Sequence, residues 1–314
     1  SQADFMLFPA RVQEGVKPIA IFTDGYLYHK ERIGQDMAQR MSIAQNGRYR
    51  VWSLTWKDVE NRYRSQGDYF RNYLEPGSLS NGANLGKFID GYGLQQLRNV
   101  HRENSFDWLI RFLKDPDDPL WQAYAFVHGL MHVDPRRFDS SESLEEWSAK
   151  VRESLPDEMV EIVKDHQNPA LYGLFESEEK GADGGLKIFV VSEQAAITLP
   201  PKVEGMRLAC YLDDTTAQRE KKDFESLWNG YVHLYNLFQF LPFSFFITRT
   251  GVEKRVYDDL QMKEPIFSAP GRNSQEQPEG EYWLEVRDLT EPSIHGLLDW
   301  LALKKWPVPE PGYE

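Results

Sequence analysis

The stretch Ile19–His29, with the sequence IAIFTDGYLYH, sets the fold because an apolar run leads directly into polar and aromatic residues. The segment Pro18–Thr23, which overlaps the first part of this stretch, has the short apolar pattern of a buried strand. Residues 3–8 form another short apolar run, and the segment between the two runs contains turn residues. We therefore predict two strands in hairpin order, with Asp24 and Gly25 at the end of the second strand.

A helix and a third strand are predicted next. The segment His29–Gln45 has no proline and carries apolar residues at helical spacing, and Asn46-Gly47 is typical of a helix end. The segment Arg50–Thr55 then has the pattern of a strand. The combination predicts an α/β fold, with a mixed sheet flanked by helices.

The length of the chain favours two domains, since 314 residues exceed one average domain. The turn-rich segment DPDDP at residues 115–119 is the predicted boundary. We expect an α/β domain over residues 1–115 and an α+β accessory domain of unassigned role over residues 116–314. The first domain begins within three residues of an apolar segment, so we expect the chain to be a piece of a longer polypeptide.

The second domain contains segments of regular pattern. Residues 218–240 form an amphipathic helix pattern with an aromatic stripe, which we interpret as a core-facing surface rather than a cofactor site. A helix pattern also covers Leu120–His132, and strand patterns cover Gly184–Val191, Met206–Leu212 and Phe243–Thr248. In the first domain, Asn104–Lys114 has a helix pattern just before the boundary.

The charge of the chain restricts its partners. The net charge is −13, which argues against a protein that coats nucleic acid without specificity. Residues 1–64, however, contain ten Lys/Arg and seven Asp/Glu, so they carry +3 and the remainder carries −16. Contact with nucleic acid is therefore expected in the N-terminal part. The single cysteine, Cys210, fits a reducing compartment, and without long apolar runs we expect a cytoplasmic protein with no membrane partner.

Oxygen-bearing residues near the strand ends suggest a cation site. Asp4 lies inside an apolar strand, where an unpaired carboxylate would be costly, so it needs a partner or a metal. Thr23 and Asp24 add a hydroxyl, a carboxylate and strand-end carbonyls at one edge of the sheet. Mg²⁺ prefers such ligands. The alternative is that Asp4 caps a turn or pairs with a nearby arginine such as Arg11.

Three side chains on the predicted helix are candidates for phosphate chemistry. Asp36 and Arg40 lie seven and eleven residues after His29, so on one continuous helix the three side chains would face the same direction. Histidine can transfer a proton and arginine can hold a phosphate oxygen, as a phosphodiesterase requires. The alternatives are a solvated His29 and an ordinary ion pair between Asp36 and Arg40, which we favour for Asp36.

These residues carry a resemblance to a known fold. The run Ala3–Phe5, the stretch Ile19–His29 with Asp36 and Arg40, and the run Gly47–Trp56 together resemble the PD-(D/E)XK endonuclease-like fold. Within it they are similar to very-short-patch mismatch repair endonucleases. Relatives of these enzymes include C-terminal modules of large DEAD/DEAH-box helicases, some from bacterial anti-phage defence systems.

The resemblance implies roles for particular residues. Asp4 matches the metal-binding aspartate, and the Thr23 carbonyl would be the second ligand of Mg²⁺. His29 matches the histidine that assists proton transfer, and Asp36 matches an acidic helix position. The resemblance also implies that DNA is the partner, together with the other subunits of a multi-protein complex.

Two further positions match residues that contact nucleic acid in the related enzymes. Leu27 and Tyr28 align with a bulky pair that wedges into the base stack. Arg40 is the candidate for holding a phosphate oxygen.

The sequence also departs from the family pattern. Ala3 replaces the usual proline, Asp24 stands where the endonuclease has a histidine, and Phe22 stands where the wider fold often has glutamate. No lysine follows at the usual catalytic spacing. Two functions therefore remain open: a Mg²⁺-dependent DNA endonuclease attached to a helicase, or a catalytically inactive platform that guides nucleic acid or docks protein subunits.

Overall fold

The part of the chain that the structure describes is divided into several ranges. A computed structural model describes residues 3–9, 16–63, 90–95 without 92, 103–132 without 117, 136–137, 171–176, 185–192, and 206–260 without 259.

The described residues form helices and two separate sheets. The strands are β1 (Phe5–Leu7), β2 (Ile19–Asp24), β3 (Arg50–Thr55), β4 (Arg136–Arg137), β5 (Leu171–Glu176), β6 (Leu186–Ser192), β7 (Met206–Leu212) and β8 (Phe243–Thr248). The helices are α1 (Tyr26–His29), α2 (Ile33–Gln45), α3 (Trp56–Tyr63), α4 (Ser105–Lys114), α5 (Asp118–His132), α6 (Thr216–Arg219), α7 (Phe224–Phe238) and α8 (Arg249–Glu253).

The first sheet has the strand order β1-β2-β3. Strand β1 pairs antiparallel with β2, as the hairpin pattern predicted, and β2 pairs parallel with β3. Parallel neighbours need a crossover, which here is α1 and α2. Strands β2 and β3 are buried along almost their whole length, and they contribute the apolar residues Ile19–Phe22, Val51, Trp52 and Leu54 to the interior.

The predicted helix His29–Gln45 is wrong at its start. The chain forms the short helix α1, breaks at residues 30–32, and begins α2 at Ile33. In a continuous helix the carbonyl of Lys30 would accept a hydrogen bond from the amide of Gly34. It instead accepts one from the guanidinium of Arg219, at 2.6 Å. A contact that is distant in sequence thus competes with the helical pattern.

The second sheet has the strand order β4-β5-β6-β7-β8. Its strands pair antiparallel except for β7 and β8, which are parallel and are connected through α6 and α7. The predicted strands at β6, β7 and β8 are confirmed, whereas β5 has no counterpart among the predicted segments. The predicted helix 218–240 is shorter in the structure, because α7 spans Phe224–Phe238 and residues 220–223 form a turn.

Helix α7 lies in the core between the two sheets. Twelve of its fifteen residues are buried, so the aromatic stripe belongs to the core, as the sequence predicted. Tyr231, Tyr235 and Phe238 pack against Phe246 of β8. On the other side, α7 packs along β3.

Polar side chains close the outer edge of β3. The backbone N–H and C=O of Ser53 bond to the amide of Asn236, at 2.7 and 2.8 Å. The same groups of Val51 bond to the amide of Gln239, the C-cap residue of α7. The N–H of Thr55 donates to Asp58, at 2.7 Å. Side chains therefore supply the partners that a neighbouring strand would otherwise provide.

The residues on either side of the predicted domain boundary share one hydrophobic core. This core joins Ile19, Trp52 and Phe112 of the first part with Trp121 and Phe240 of the second. Trp52 stacks on Phe112 and meets Trp121 and Phe240 edge-on. The boundary at residues 115–116 stays a prediction, and the described parts on its two sides pack closely together.

The fold class is α/β at the level of mixed helices and small mixed sheets. The described strands form open sheets, and no barrel is present among them. Within the same residues, no helix has both the length and the apolar character needed to cross a membrane.

Replacing Asn236 with leucine tests the closure of the β3 edge. The change removes two hydrogen bonds and leaves the buried N–H and C=O of Ser53 without partners. We expect the free energy of unfolding to fall by about 2–4 kcal/mol in urea denaturation. The control Gln35→Leu, an amide replacement on the exposed face of α2, should change it by less than about 0.5 kcal/mol. An equally small loss for Asn236→Leu would contradict the closure.

Replacing Gly34 with alanine tests the packing of α2 on the second sheet. Helix propensity alone would stabilise the protein by about 1 kcal/mol. However, a Cβ at this position would lie 2.6 Å from Thr248 Oγ1 and 2.8 Å from the Cα of Gly251. We therefore expect a net loss of about 1–3 kcal/mol in chemical denaturation. Ser42→Ala, on the exposed side of the same helix, is the control, and a stabilised Gly34→Ala protein would refute the close contact.

Candidate functional site

The candidate site lies at the carboxyl end of β2. Asp4, just before β1, is exposed, and its carboxylate is held by Thr23. The backbone N–H and the hydroxyl of Thr23 both donate to Asp4 Oδ2, at 2.7 and 3.0 Å. Asp4 thus has a partner within the predicted site, and Arg11, the alternative partner, lies outside the described residues.

The strand geometry also directs the Thr23 carbonyl toward Asp4. Within a strand, the N–H and C=O of one residue point to the same side, and alternate residues point to opposite sides. Because the N–H of Thr23 reaches Asp4, its carbonyl faces the same edge of β2. The predicted pair of oxygen ligands, the Asp4 carboxylate and the Thr23 carbonyl, is therefore on one side of the strand.

Asp24 forms a buried ion pair with Arg40. The guanidinium of Arg40 donates to Asp24 Oδ1 and lies 4.8 Å from the centroid of the Phe22 ring. Asp24 Oδ2 is buried without a hydrogen-bond partner. Burial raises the pKa of the Asp24 carboxyl above its usual value, and the charge of Arg40 acts in the opposite direction.

This pair changes the predicted role of Arg40. Both Asp24 and Arg40 are almost fully buried, so the guanidinium neutralises a carboxylate inside the fold. In this position it does not extend to the surface, where a phosphate would bind. The sequence predicted that Arg40 lies on this helix, but it could not show that the side of the helix carrying Arg40 is buried against the rest of the fold.

His29 lies between two carboxylates. Its Nδ1 is 2.6 Å from Asp36 Oδ2 and 3.6 Å from Asp24 Oδ1. An ionised carboxylate only accepts hydrogen bonds, so Nδ1 bears the hydrogen atom and donates a hydrogen bond to Asp36 Oδ2. This arrangement fixes the ring and leaves Nε2 to exchange a proton. The side chain of His29 is 18% exposed, which gives solvent access to the ring.

Asp36 has different ionic partners from the predicted one. The helix ion pair at a spacing of four residues forms with Arg32, whose Nε lies 3.3 Å from Asp36 Oδ2. The predicted pair of Asp36 with Arg40 is wrong, since Arg40 turns toward Asp24. Arg32 was missed although it has the same four-residue spacing before Asp36, a signal that the sequence contains.

Leu27 and Tyr28 are the exposed large apolar residues of the described chain, at 59% and 68%. They lie on α1, directly before His29. Tyr26, the first residue of this helix, turns inward and contacts the rings of Phe224 and Trp228 at 6.1 and 5.4 Å between centroids. The helix is therefore anchored on one side and presents two apolar side chains on the other.

The donors at this edge fit a hard cation. The described residues contain no group of three or more His, Cys, Asp or Glu side chains arranged around a metal ion. Mg²⁺ needs no such group, because it keeps several waters and takes one or two carboxylates. Asp4 fits this requirement, since it is exposed and one of its oxygens is fixed by Thr23.

No protein-family model, curated protein or solved structure matches the chain.

Replacing Arg40 with alanine tests the buried pair. Asp24 would keep a buried carboxylate without its cation, and we expect a loss of about 3–5 kcal/mol at neutral pH. Because burial raises the pKa of Asp24 in the folded state, the carboxyl takes up a proton there at a pH where the unfolded chain does not. The loss should therefore shrink as the pH falls and grow as it rises.

Thermal and urea denaturation between pH 4 and 8 measure this effect. Arg32→Ala removes an exposed partner of Asp36 and should cost no more than about 1 kcal/mol. The double variant Asp24→Asn/Arg40→Ala should lack the added pH dependence. A loss in Arg40→Ala that is constant over this pH range would show that Asp24 is not the affected group.

Proposed function

We propose that the carboxyl edge of β2 binds DNA and, with Mg²⁺, hydrolyses a phosphodiester bond, in a domain of the restriction-endonuclease-like type. We propose further, as the resemblance implies, that this domain belongs to the C-terminal accessory region of a DEAD/DEAH-box helicase of an anti-phage defence system. Its place would then be the cytoplasm.

One observation carries the proposal: the residues of the sequence motif assemble around one strand end. Thr23 holds Asp4, Asp36 holds His29, and His29 lies beside Asp24. Thr23 and Asp24 are the last two residues of β2, so the contact to Asp4 and the contact to His29 lie at the same strand end. Scattered surface residues would not give this arrangement.

Asp4 and the Thr23 carbonyl would hold the Mg²⁺ ion. A bound Mg²⁺ polarises a phosphate oxygen and stabilises the charge that develops on it. The two hydrogen bonds from Thr23 fix one Asp4 oxygen, which leaves the second oxygen as the ligand. The sequence supplies only oxygen donors at this position, and these match the preference of Mg²⁺.

His29 would transfer the proton. Asp36 binds Nδ1 and so orients the ring, while Nε2 accepts a proton from the attacking water or returns one to the leaving oxygen. Asp24 lies on the same side of the ring as Asp36 and adds negative charge there.

Leu27 and Tyr28 would contact the bases. Two adjacent exposed apolar side chains on an anchored helix can stack on or insert between bases. Their position next to His29 places this contact close to the proton-transfer group. Cleavage would therefore occur beside the disturbed base step.

A second candidate function is a platform that binds nucleic acid or protein subunits without cleaving. Two observations favour it: Arg40 is used inside the fold by Asp24, and Asp24 itself is buried. Such a site would keep Leu27 and Tyr28 for binding, but it would lack the guanidinium of Arg40 as a partner for the phosphate. The two candidates differ in whether the protein cleaves DNA and, if it does, whether cleavage requires Asp4 and His29.

Plasmid nicking with Mg²⁺ or Mn²⁺ tests the proposal on the full 314-residue chain. We expect nicking by the parent protein, a fall to background for Asp4→Asn, and a loss of about 10²–10⁴-fold for His29→Gln. Asp115→Asn, an exposed carboxylate just before α5, is the control and should nick normally, because α5 contacts Arg50 at the amino end of β3, opposite the candidate site.

Binding measurements separate the two candidates. Fluorescence anisotropy with labelled DNA should show weaker binding for Leu27→Ser/Tyr28→Ser, with Asp4→Asn near the parent value in the absence of metal. Binding without nicking by the parent protein supports the platform. Nicking that survives Asp4→Asn would refute the assigned site. Absence of both binding and nicking would refute the endonuclease and the nucleic-acid platform and leave only the docking of protein subunits.

A further inference from the structure

Helix α1 cannot be stable by itself. It has four residues, no side-chain cap and no fully buried residue. Isolated helices of this length do not persist in water, so contacts with the rest of the fold must hold it. Its residues Leu27, Tyr28 and His29 are those on which the proposed function depends.

The start of α1 is fixed by a tyrosine. The ring of Tyr26 packs on Phe224 and Trp228 of α7, and its hydroxyl donates to the backbone carbonyl of Arg219 at 3.1 Å. This contact joins the first residue of α1 to the end of α6. The two residues are 193 positions apart in sequence.

The end of α1 is fixed by the same arginine. The guanidinium of Arg219 donates to the carbonyl of Lys30, the C-cap of α1, at 2.6 Å and to the carboxylate of Glu31 at 2.5 Å. It also donates to the hydroxyl of Thr216, at 3.2 Å. One residue of the C-terminal part thus contacts both ends of α1, through its backbone and through its side chain.

We propose that Arg219 is the positioning residue that holds α1, and with it Leu27, Tyr28 and His29, in the orientation that binds DNA. The inference deepens the proposed function and rests on it. It assigns a role to the C-terminal part of the chain: α6 and the start of α7 brace the element that contacts the bases. A guanidinium suits this role, because one of its terminal nitrogens donates to the Lys30 carbonyl and the Glu31 carboxylate while the other donates to Thr216.

Hydrogen exchange measured by mass spectrometry tests the brace without relying on activity. In Arg219→Ala, exchange of the amides at residues 26–32 should rise about tenfold or more, since a charge-assisted hydrogen bond at the helix end is lost. Amides of β3 and α7 should exchange as in the parent. Arg219→Lys should give an intermediate rise, because an ammonium can donate to the carbonyl and the carboxylate but has no second nitrogen for Thr216.

DNA binding by the same variants links the brace to the site. We expect about a tenfold weaker affinity for Arg219→Ala, partial rescue in Arg219→Lys, and a smaller loss for Tyr26→Phe, which keeps the ring but not the hydroxyl. Lys222→Ala, which removes an exposed positive charge next to α7, is the control and should match the parent in both measurements.

The outcomes separate this inference from the proposed function. Faster exchange confined to residues 26–32 together with weaker DNA binding supports the brace. Unchanged exchange there, or an equal rise across β3 and α7, overturns it whatever the DNA result. If the parent chain does not bind DNA at all, the proposed function fails and so does the positioning role, although the exchange data still report the contact itself.

Discussion

The structure depends on how the outer edge of β3 is satisfied. Buried backbone groups need hydrogen-bond partners, and an unpaired N–H or C=O in the core costs about 1–3 kcal/mol. Here the amides of Asn236 and Gln239 pair with Ser53 and Val51, and Asp58 pairs with Thr55. Helix α7, from the C-terminal part, therefore lies where a fourth strand would lie, and its side chains take the hydrogen bonds of the β3 edge.

This closure fixes other parts of the molecule. Because α7 is tied to β3, its aromatic residues meet Tyr26 on one side and Phe246 on the other. The end of α6 then reaches α1. The orientation of the candidate site consequently depends on residues nearly two hundred positions away in sequence. The N-terminal motif supplies the chemical groups, and the C-terminal part determines how some of them are presented.

Much of the local structure could be predicted from sequence pattern. The strands at β2, β3, β7 and β8 and the core-facing stripe of α7 followed from short apolar runs and helical periodicity. The break between α1 and α2 could not be predicted, because the bond from Arg219 to Lys30 that replaces a helical one is not a local signal. His29 and Asp36 are neighbours, as predicted, but the prediction assumed one continuous helix, and the structure instead brings them together across the break between α1 and α2.

The sequence by itself determined which residue types stand at the end of β2: Asp4, Thr23, His29 and Asp36, with Leu27 and Tyr28 beside them. The strand period, a local property of the chain, predicted the strand that ends at Thr23 and Asp24, whereas the contact between His29 and Asp36 depends on the tertiary structure. Only the tertiary structure decided which of these groups are exposed and which are neutralised. Arg40 and Asp24 became a buried pair because α2 packs its inner face on the core, and burial of one charge requires the other.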